Sequence, residues 1–479
     1  MNQFGLFSLV VASIIYADGT FKNFKSEKII QVGNTFENFQ TKYLKSTSGS
    51  EFFANQQWNS YEPLPINKLY TENKPKIISS QRERKIKAVG PKIRIVISKK
   101  KKYDKVNIKL VKKDIVIDFF STALSFSVPD KLKEAKFYPQ TQKGIGDFFN
   151  QVSYTEYNYL INDIEEVKKE MNLNDWGLYL LISEVSKKIF TNEDERKLFS
   201  WFVLNKMGYS VRAGISKKHI ILVFKTKQSV NYTLSYKING DIFYVLDSKF
   251  DKDSVIYTYA SDVPNADKAF DLSLDVLPNL ELYIQSKDLV FKIDGKEYIL
   301  VYKYNQNLID FMATYPQVQS DVFLNAPLDD ISYQSIGMSL KEYVDREKAS
   351  IAINFVLHFV QNAFKYQSDM EQFKKEKFMF AQETLYYNKS DAEDRVSLFS
   401  YLIRKFFSFG VIGITYNNHM VAGLYIPLIG DGVVYKKRRY VIADPTYNNA
   451  NLGQNIATYK VETPINFIML KKGKRGIRF

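Results

Sequence analysis

The sequence predicts an α+β protein in which one arrangement of strands and helices occurs twice along the chain. Segments with apolar residues at every second position, typical of strands, alternate with segments of helical period, and this order of classes is repeated. The chain has 479 residues, more than one hydrophobic core usually organises, so several domains are expected. We therefore expect an internal duplication, each copy being a small β-rich domain followed by an α+β domain.

The composition fits a folded chain and excludes several kinds of chemistry. Apolar residues make up 45% of the sequence and aromatic residues 15%, which is ample for packed cores. Cysteine is absent, which excludes disulfides, thiolate metal sites and a cysteine nucleophile in this chain. The three histidines argue against a His-rich metal site. We expect no cofactor and no metal.

The chain is basic, with 67 lysines and arginines against 52 acidic residues. Such a surplus favours anionic partners such as lipid headgroups, cell-wall polymers or nucleic acid. The densest basic runs are residues 99–102, 436–439 and 471–478, and the first two lie between alternating apolar segments, which predicts hairpin turns or solvated edges. No nucleic-acid-binding motif accompanies them, so we expect an anionic cell-envelope polymer and no specific nucleic acid.

The first 17 residues have no charged side chain. They contain an apolar run that is too short to span a membrane. Ala17 is small enough for a cleavage site, so the segment predicts a secretory signal peptide, although the charged start of such a peptide is missing. The alternative is a buried N-terminal strand or helix. The signal peptide predicts export to the periplasm or cell surface. No later apolar stretch predicts a transmembrane helix.

The rest of the chain divides by pattern. Residues 18–90 are polar and irregular, which predicts a leader or linker. Alternating apolar residues predict a β-rich domain at 91–135, and helices followed by strands predict an α+β domain at 136–250. A second β-rich domain is predicted at 251–315, with a hairpin turn at Asp294 and Gly295. Residues 316–479 repeat the α+β order.

The repetition can be read position by position. The motif LFS occurs in ERKLFSWFVLNKMGYSVRAGISKKH and again, 200 residues later, in DRVSLFSYLIRKFFSFGVIGITYNNH. The final residues of these two runs, His219 and His419, are also 200 apart. Downstream, FYVLD ends in Asp247 and YVIAD ends in Asp444. Chance readily matches one apolar helix, but it rarely matches helix, strand, histidine and aspartate in one order.

The second copy has two of the three groups that thiol-dependent acyl transfer requires. Such chemistry needs an activated nucleophile, a base beside it and an acid that orients the base. Ser390 or Asp391 is predicted to cap a helix, so residue 392 lies where the helix dipole would activate a thiolate, but it is alanine. His419 begins one strand and Asp444 ends the next, and adjacent antiparallel strands would bring them together.

Three separated segments carry a family resemblance over about 110 residues: YNKSDAEDRVSLFSYLIRKFF, YNNHMVAGLYIP and KRRYVIADPTY. They resemble the transglutaminase-like group of the papain-like cysteine superfamily. The resemblance implies a papain-like, transglutaminase-like α+β domain, and with the internal duplication we expect two such domains in tandem. It assigns the nucleophile position to Ala392, the base to His419 and the acid to Asp444. A methyl group cannot attack a carbonyl, so the resemblance stops short of an active enzyme.

In the first copy the corresponding positions are Asn192, His219 and Asp247, which define a degenerate second site. Asparagine is a good helix cap, so Asn192 has a structural interpretation. His219 adjoins an apolar strand and is interpreted as an edge residue. The third histidine, His358, is interpreted as a packed helix residue.

These observations predict a catalytically inactive envelope protein that binds or scaffolds a peptide, a protein ligand or an envelope protein complex. The alternative is a thiol transamidase or peptidase whose catalytic cysteine has been replaced by Ala392. A third possibility is that His419 and Asp444 act on water or an amine without a covalent nucleophile, which would give modest catalysis.

Overall fold

The structure is a computed structural model that describes residues 52–53, 55–69, 93–95, 114–246 and 254–472. The predicted signal peptide at 1–17, most of the 18–90 leader, the basic run at 99–102 and Asp247 lie outside these ranges. The basic run at 471–478 is described only for its first two residues.

The first half of the described chain is a group of helices followed by a six-stranded sheet, as the predicted α+β class requires. Early strands are β1 (Trp58–Tyr61), β2 (Ile93–Ile95), β3 (Ile115–Phe119) and β4 (Thr122–Phe126). The helices are α1 (Asp130–Lys133), α2 (Gln142–Ser153), α3 (Asn158–Glu170), α4 (Asp175–Ile189) and α5 (Glu193–Lys206). The later strands are β5 (Val211–Ser216), β6 (His219–Lys225), β7 (Ser235–Ile238), β8 (Asp241–Tyr244) and β9 (Ile256–Tyr259).

A long hairpin joins the two halves. Strands β10 (Ile284–Ile293) and β11 (Lys296–Asn305) pair antiparallel over their full length. The turn residues Asp294 and Gly295 have φ values of 48° and 79°, the left-handed conformations that a two-residue hairpin turn requires, which confirms the predicted Asp-Gly turn.

The strands of the two predicted β-rich domains are arranged differently from the sequence expectation. Strand β2 pairs in parallel with β11, so part of 91–135 joins the sheet of 251–315. Strands β3 and β4 form a separate hairpin that packs against α4. Each of these short β segments leaves backbone N–H and C=O groups unpaired at its edge. A strand that is distant in the sequence satisfies these groups as well as a strand that is near in the sequence.

The second half repeats the order of helices and then sheet. Its helical segments are α6 (Gln306–Ala313), α7 (Ser320–Asn325), α8 (Asp330–Ser332, continued by a π-helical turn at Tyr333–Gly337), α9 (Met338–Val344), α10 (Ala349–Ala363), α11 (Asp369–Gln372), α12 (Ala381–Tyr386), α13 (Ala392–Phe406) and α14 (Ala457–Val461). Its strands are β12 (Lys365–Tyr366), β13 (Lys389–Ser390), β14 (Val411–Thr415), β15 (Met420–Leu424), β16 (Gly432–Tyr435), β17 (Arg438–Ala443) and β18 (Asn466–Met469).

The main sheets of the two halves share one strand order. The first runs β1-β9-β5-β6-β8-β7, and the second runs β18-β14-β15-β17-β16. With β1 set aside, the five strands correspond one to one, and every described pairing is antiparallel. In each half the helix that precedes the sheet, α5 or α13, packs on the first two strands after it.

Both faces of these sheets are covered. On β6, Ile220 and Leu222 enter the main core that the helices share, whereas Ile221 and Val223 lie in a smaller cluster on the opposite face. The second sheet has its own outer cluster, which includes Ile412. Burial on both sides explains why these strands are nearly continuous apolar runs.

The basic run at 436–439 occupies a hairpin turn between β16 and β17, as predicted, with Lys436 and Lys437 at positive φ. Within the described ranges, no helix has the length and apolar character needed to cross a membrane.

Candidate functional site

Helix α13 begins at Ala392, the residue that the resemblance assigns to the nucleophile position. Asp391 is its N-cap, and a capping box joins Asp391 to Asp394, whose side chain accepts the Asp391 N–H at 3.2 Å. Ala392 therefore occupies the first position inside the helix, at the positive end of its dipole. Its methyl group is buried, with 2% of the residue exposed.

The structure brings His419 and Asp444 together. His419 lies just before β15 and Asp444 just after β17, and these strands are antiparallel neighbours. His419 Nε2 lies 3.0 Å from Asp444 Oδ2, and both side chains are buried. The other carboxylate oxygen, Oδ1, accepts the N–H of Thr446 at 2.9 Å and its hydroxyl at 2.6 Å. The Asp-Pro-Thr run thus holds the acid in position.

Electrostatics favour the ionised form of Asp444. Burial by itself raises the pKa of this carboxyl, but the charge of His419 and the hydrogen bonds from His419 and Thr446 outweigh burial. The net effect lowers the pKa of Asp444 below its ordinary value.

His419 is closed off from solvent on the side that the sheet leaves free. The ring of Tyr459, in α14, stacks on its imidazole with centroids 4.7 Å apart and planes inclined by 17°. The second ring nitrogen of His419, Nδ1, is buried and has no hydrogen-bond partner among the described residues. Helix α13, which begins at Ala392, packs against β15, the strand that follows His419, and we call this buried contact the junction.

Arg395, one turn into α13, ties this junction together from inside. Its guanidinium donates to the carbonyls of Phe364 (2.7 Å), Gln361 (3.2 Å) and Pro445 (3.4 Å), and to the Ser390 hydroxyl at 3.1 Å. The side chain is fully buried, and burial lowers its pKa to about 10. Arginine bridges planar acceptors in this way because its five donors are fixed in one plane.

A group of carboxylates lies at the start of the same helix. Ligand atoms of Asp369, Asp391 and Glu393 lie within 4.8 Å of one another, and all three residues are buried. Asp394 accepts the Met379 N–H at 2.8 Å, and burial together with the neighbouring carboxylates raises its pKa well above the ordinary value. Asp391 is one of the two caps that the sequence predicted, and the structure confirms it through the capping box with Asp394.

The degenerate site of the first half is arranged differently. Asn192 is the N-cap of α5, and its side chain accepts the N–H groups of Asp194 (2.8 Å) and Glu195 (3.2 Å). The predicted cap is confirmed, but Asn192 lies outside the helix, whereas Ala392 lies inside α13. The capping residues Asn192 and Asp391 are 199 positions apart, one fewer than the 200 that separate the two histidines.

His219 contacts the first turn of helix α5. Its Nδ1 lies 3.2 Å from Asp194 Oδ2, while Asp194 Oδ1 accepts the Ile220 N–H at 2.8 Å. The His219 side chain is 72% exposed, as an edge residue should be. Its sequence-predicted partner, Asp247, lies outside the described ranges.

The third histidine, His358, lies on α10, as expected, and its Nε2 is 3.0 Å from Asn451 Oδ1. Sequence reasoning missed Tyr459 and Arg395. Arg395 stood inside the run that carried the resemblance, as the arginine after Glu393 and Asp394. Nothing in the pattern around Tyr459 signalled that it would cover His419.

Comparison with known proteins adds no relative. No family model matches the chain, and neither a curated protein nor a solved structure matches it.

Proposed function

We propose that this chain is a catalytically inactive, transglutaminase-like envelope protein built from two degenerate copies of one domain, acting as a binding or scaffolding module. The observation that carries this proposal is the pairing of His419 with Asp444 beside a helix whose first residue is alanine. A base and its orienting acid are retained, but the residue in the nucleophile position has no reactive atom.

The duplication is supported by topology. Both sheets order their five corresponding strands in the same way, and in each a helix precedes the first two strands and packs on them. His219 and His419 occupy corresponding places, at the start of β6 and just before β15. Independent origin would have to reproduce helix, strand order and histidine together.

Burial supports scaffolding over catalysis at this position. Ala392 and His419 are each 2% exposed, and Tyr459 covers the imidazole. A substrate could not reach the pair from the side that Tyr459 covers while α14 stays in place. An exported location, with a peptide, an envelope protein complex or an anionic envelope polymer as partner, remains part of this proposal.

The alternative, a thiol transamidase or peptidase whose cysteine has been replaced by alanine, is favoured by one observation. His419 Nδ1 is buried without a partner among the described residues, which is where the proton of a thiol would be accepted. An unsatisfied buried nitrogen costs free energy, and a nucleophile would remove that cost. The natural codon for residue 392 separates the two readings directly.

The experiment is the substitution Ala392→Cys, compared with Ala381→Cys. Ala381 is the first residue of α12 and is also 2% exposed, so it matches Ala392 in helix position and burial but has no histidine assigned to it. The proposal expects both variants to react slowly and equally with iodoacetamide, and neither to form an acyl-enzyme with p-nitrophenyl acetate.

Selective acylation of Ala392→Cys, abolished by adding His419→Ala, would contradict the inactive-scaffold proposal and support the alternative. Background ester hydrolysis by the unmodified protein, lost in His419→Ala and Asp444→Asn, would support the third possibility of direct action on water.

A further inference from the structure

A polar cavity lies between the two halves, away from His419. Its volume is about 440 Å³, and it is lined by the segment at 67–69, the loop at 229–231, the start of α7 and strand β18. Its polar lining side chains are three asparagines and a glutamine, two serine hydroxyls, the carboxylate of Asp321 and the ammonium of Lys68. A cavity of this volume is in the range that binds ligands.

One wall of the cavity is a ribbon of extended backbone. Val230 and Val318 form an antiparallel bridge, with Asn231 N–H donating to the Gln317 carbonyl at 2.6 Å and Gln319 N–H to the Ser229 carbonyl at 3.0 Å. Asn67 Nδ2 joins the ribbon by donating to Asn231 Oδ1 at 2.6 Å. These bonds fix the wall before any ligand arrives.

The opposite wall is the open edge of a sheet. Among the described strands, β18 is the outermost member of the second sheet and pairs only with β14. Leu470 N–H donates to the Val411 carbonyl. Because bonding alternates along an antiparallel pair, the backbone groups of Phe467 and Met469 point away from β14. The Phe467 N–H is bonded to the Asn466 side chain, a contact that a ligand strand can replace.

The cavity also holds an acceptor without a partner. Asp321 Oδ1 is buried and makes no hydrogen bond within the part of the chain described. Buried acceptors are normally satisfied, so the atom is suited to a donor from a ligand, such as an N–H group or an ammonium.

We propose that this cavity binds an extended peptide segment of a partner protein, which adds as a strand to the open edge of β18 and places an N–H or lysine donor on Asp321. The inference rests on the binding role proposed above and names the place where binding occurs. An extended peptide is favoured over a sugar because one wall presents unpaired strand backbone, and amides on the other wall offer both donors and acceptors to peptide groups.

Two substitutions test the two contacts. Met469→Pro removes an outward N–H and obstructs pairing at the edge of β18, and Asp321→Asn removes the charge at constant size. The matched control is Val434→Pro on β16, the other outer strand of the sheet. Ile442 N–H donates to the Asp431 carbonyl, so the alternation directs the Val434 N–H outward as well. Val434 is 70% exposed, and edge strands tolerate proline.

A phage-displayed library of random heptapeptides is panned on the immobilised full-length chain, and enriched peptides are synthesised and titrated by fluorescence anisotropy. We expect Met469→Pro and Asp321→Asn each to weaken binding by about tenfold, as the loss of a charged or backbone hydrogen bond implies, with Val434→Pro unchanged. Circular dichroism and thermal unfolding show that each variant is folded.

No enriched peptide, or enriched peptides that bind Met469→Pro as tightly as the parent chain, would overturn the inference. Binding of arrayed oligosaccharides that Asp321→Asn abolishes, without peptide binding, would also overturn it in favour of a glycan site. These outcomes are separate from the test at residue 392. Acylation of Ala392→Cys would refute the inactive-scaffold role and leave the peptide measurement standing.

Discussion

The ring of Tyr459 lies flat against the imidazole of His419, with 4.7 Å between their centroids. This contact separates the histidine from solvent and fills the space in front of it. Tyr459 is itself only 5% exposed, so it belongs to the outer cluster of the second sheet as much as to the candidate site. The packing of Tyr459 therefore closes the junction, and replacing this one residue tests the closure.

Replacing this tyrosine by alanine should open the site. We expect Tyr459→Ala to lower the free energy of unfolding by about 3 kcal/mol, since a large buried side chain is lost, and to speed modification of His419 by diethyl pyrocarbonate. Peptide mass spectrometry distinguishes His419 from the exposed His219. Tyr425→Ala, at a position 47% exposed, is the control and should leave the reactivity of His419 unchanged. Unchanged His419 reactivity in Tyr459→Ala would mean that another element closes the site.

The pair of Asp444 with His419 should appear in the dependence of stability on pH. Because the folded-state pKa of Asp444 lies below its unfolded value of about 4, its contribution is present above that pH and is lost as pH falls through the lower folded value. Asp444→Asn should remove this contribution and cost about 3 kcal/mol at neutral pH, because a buried partner is lost.

Urea unfolding of the parent, Asp444→Asn, His419→Ala and the double variant measures the coupling. A coupling energy above about 1 kcal/mol is expected for groups in direct contact. Additive effects of the two substitutions would show that the hydrogen bond contributes nothing specific.

Asp394 should make stability depend on pH in the opposite direction to Asp444. Its folded-state pKa is raised by burial and by the carboxylates Asp391 and Asp369, so the folded state binds a proton that the unfolded state has lost. Stability from this group is greatest below about pH 4 and is lost as pH rises through the raised folded value. Asp394→Asn should reduce this loss of stability between about pH 4 and pH 7. It should also lower the free energy of unfolding by about 1 kcal/mol at every pH, because one hydrogen bond is lost.

The matched control is Asp194→Asn in the first half. Asp194 occupies the corresponding position, but it pairs with a histidine instead of with other carboxylates. The free energy of unfolding of each variant is compared with that of the parent chain as pH varies. The same pH-dependent change in both variants would contradict the role given to the buried carboxylate group.

Asn192 should behave as a helix cap and nothing more. Asn192→Ala is expected to lower the free energy of unfolding by about 1 kcal/mol because two N–H groups of α5 lose their acceptor, whereas Asn192→Asp should retain most of it. Urea unfolding measures both, and equal stability of the alanine and aspartate variants would rule out the capping role. Asn192→Cys should show no acyl transfer with p-nitrophenyl acetate, because the residue lies outside the helix.

Local patterns were enough to place most of the regular structure near the candidate site. Helical period predicts a helix at about 393–407, and the structure has α13 at Ala392–Phe406. Alternation predicts strands at 411–415 and 419–425, and the structure has β14 at Val411–Thr415 and β15 at Met420–Leu424. The Asp-Gly turn and the basic turn of β16 and β17 were also predicted, since left-handed turn conformations depend on a few adjacent residues. Order of elements likewise placed His419 and Asp444 on neighbouring strands.

Contacts between distant segments were beyond this reasoning. The parallel pairing of β2 with β11, the link from His219 to Asp194 and the position of Tyr459 over His419 join segments that are far apart in sequence or lie on different elements. None of these contacts changes the helix or strand propensity of the residues around it, so the periodicity of the sequence does not predict them.

The sequence by itself determined the α+β class and the order of helices and strands, and it placed an alanine where the resemblance expects a nucleophile, because each depends on residue type and short-range spacing. Only the tertiary structure decided that the His419–Asp444 pair is buried and covered, and that an open strand edge and a polar cavity lie elsewhere. Burial and edge exposure depend on how separate elements pack, and packing is a property of the whole chain.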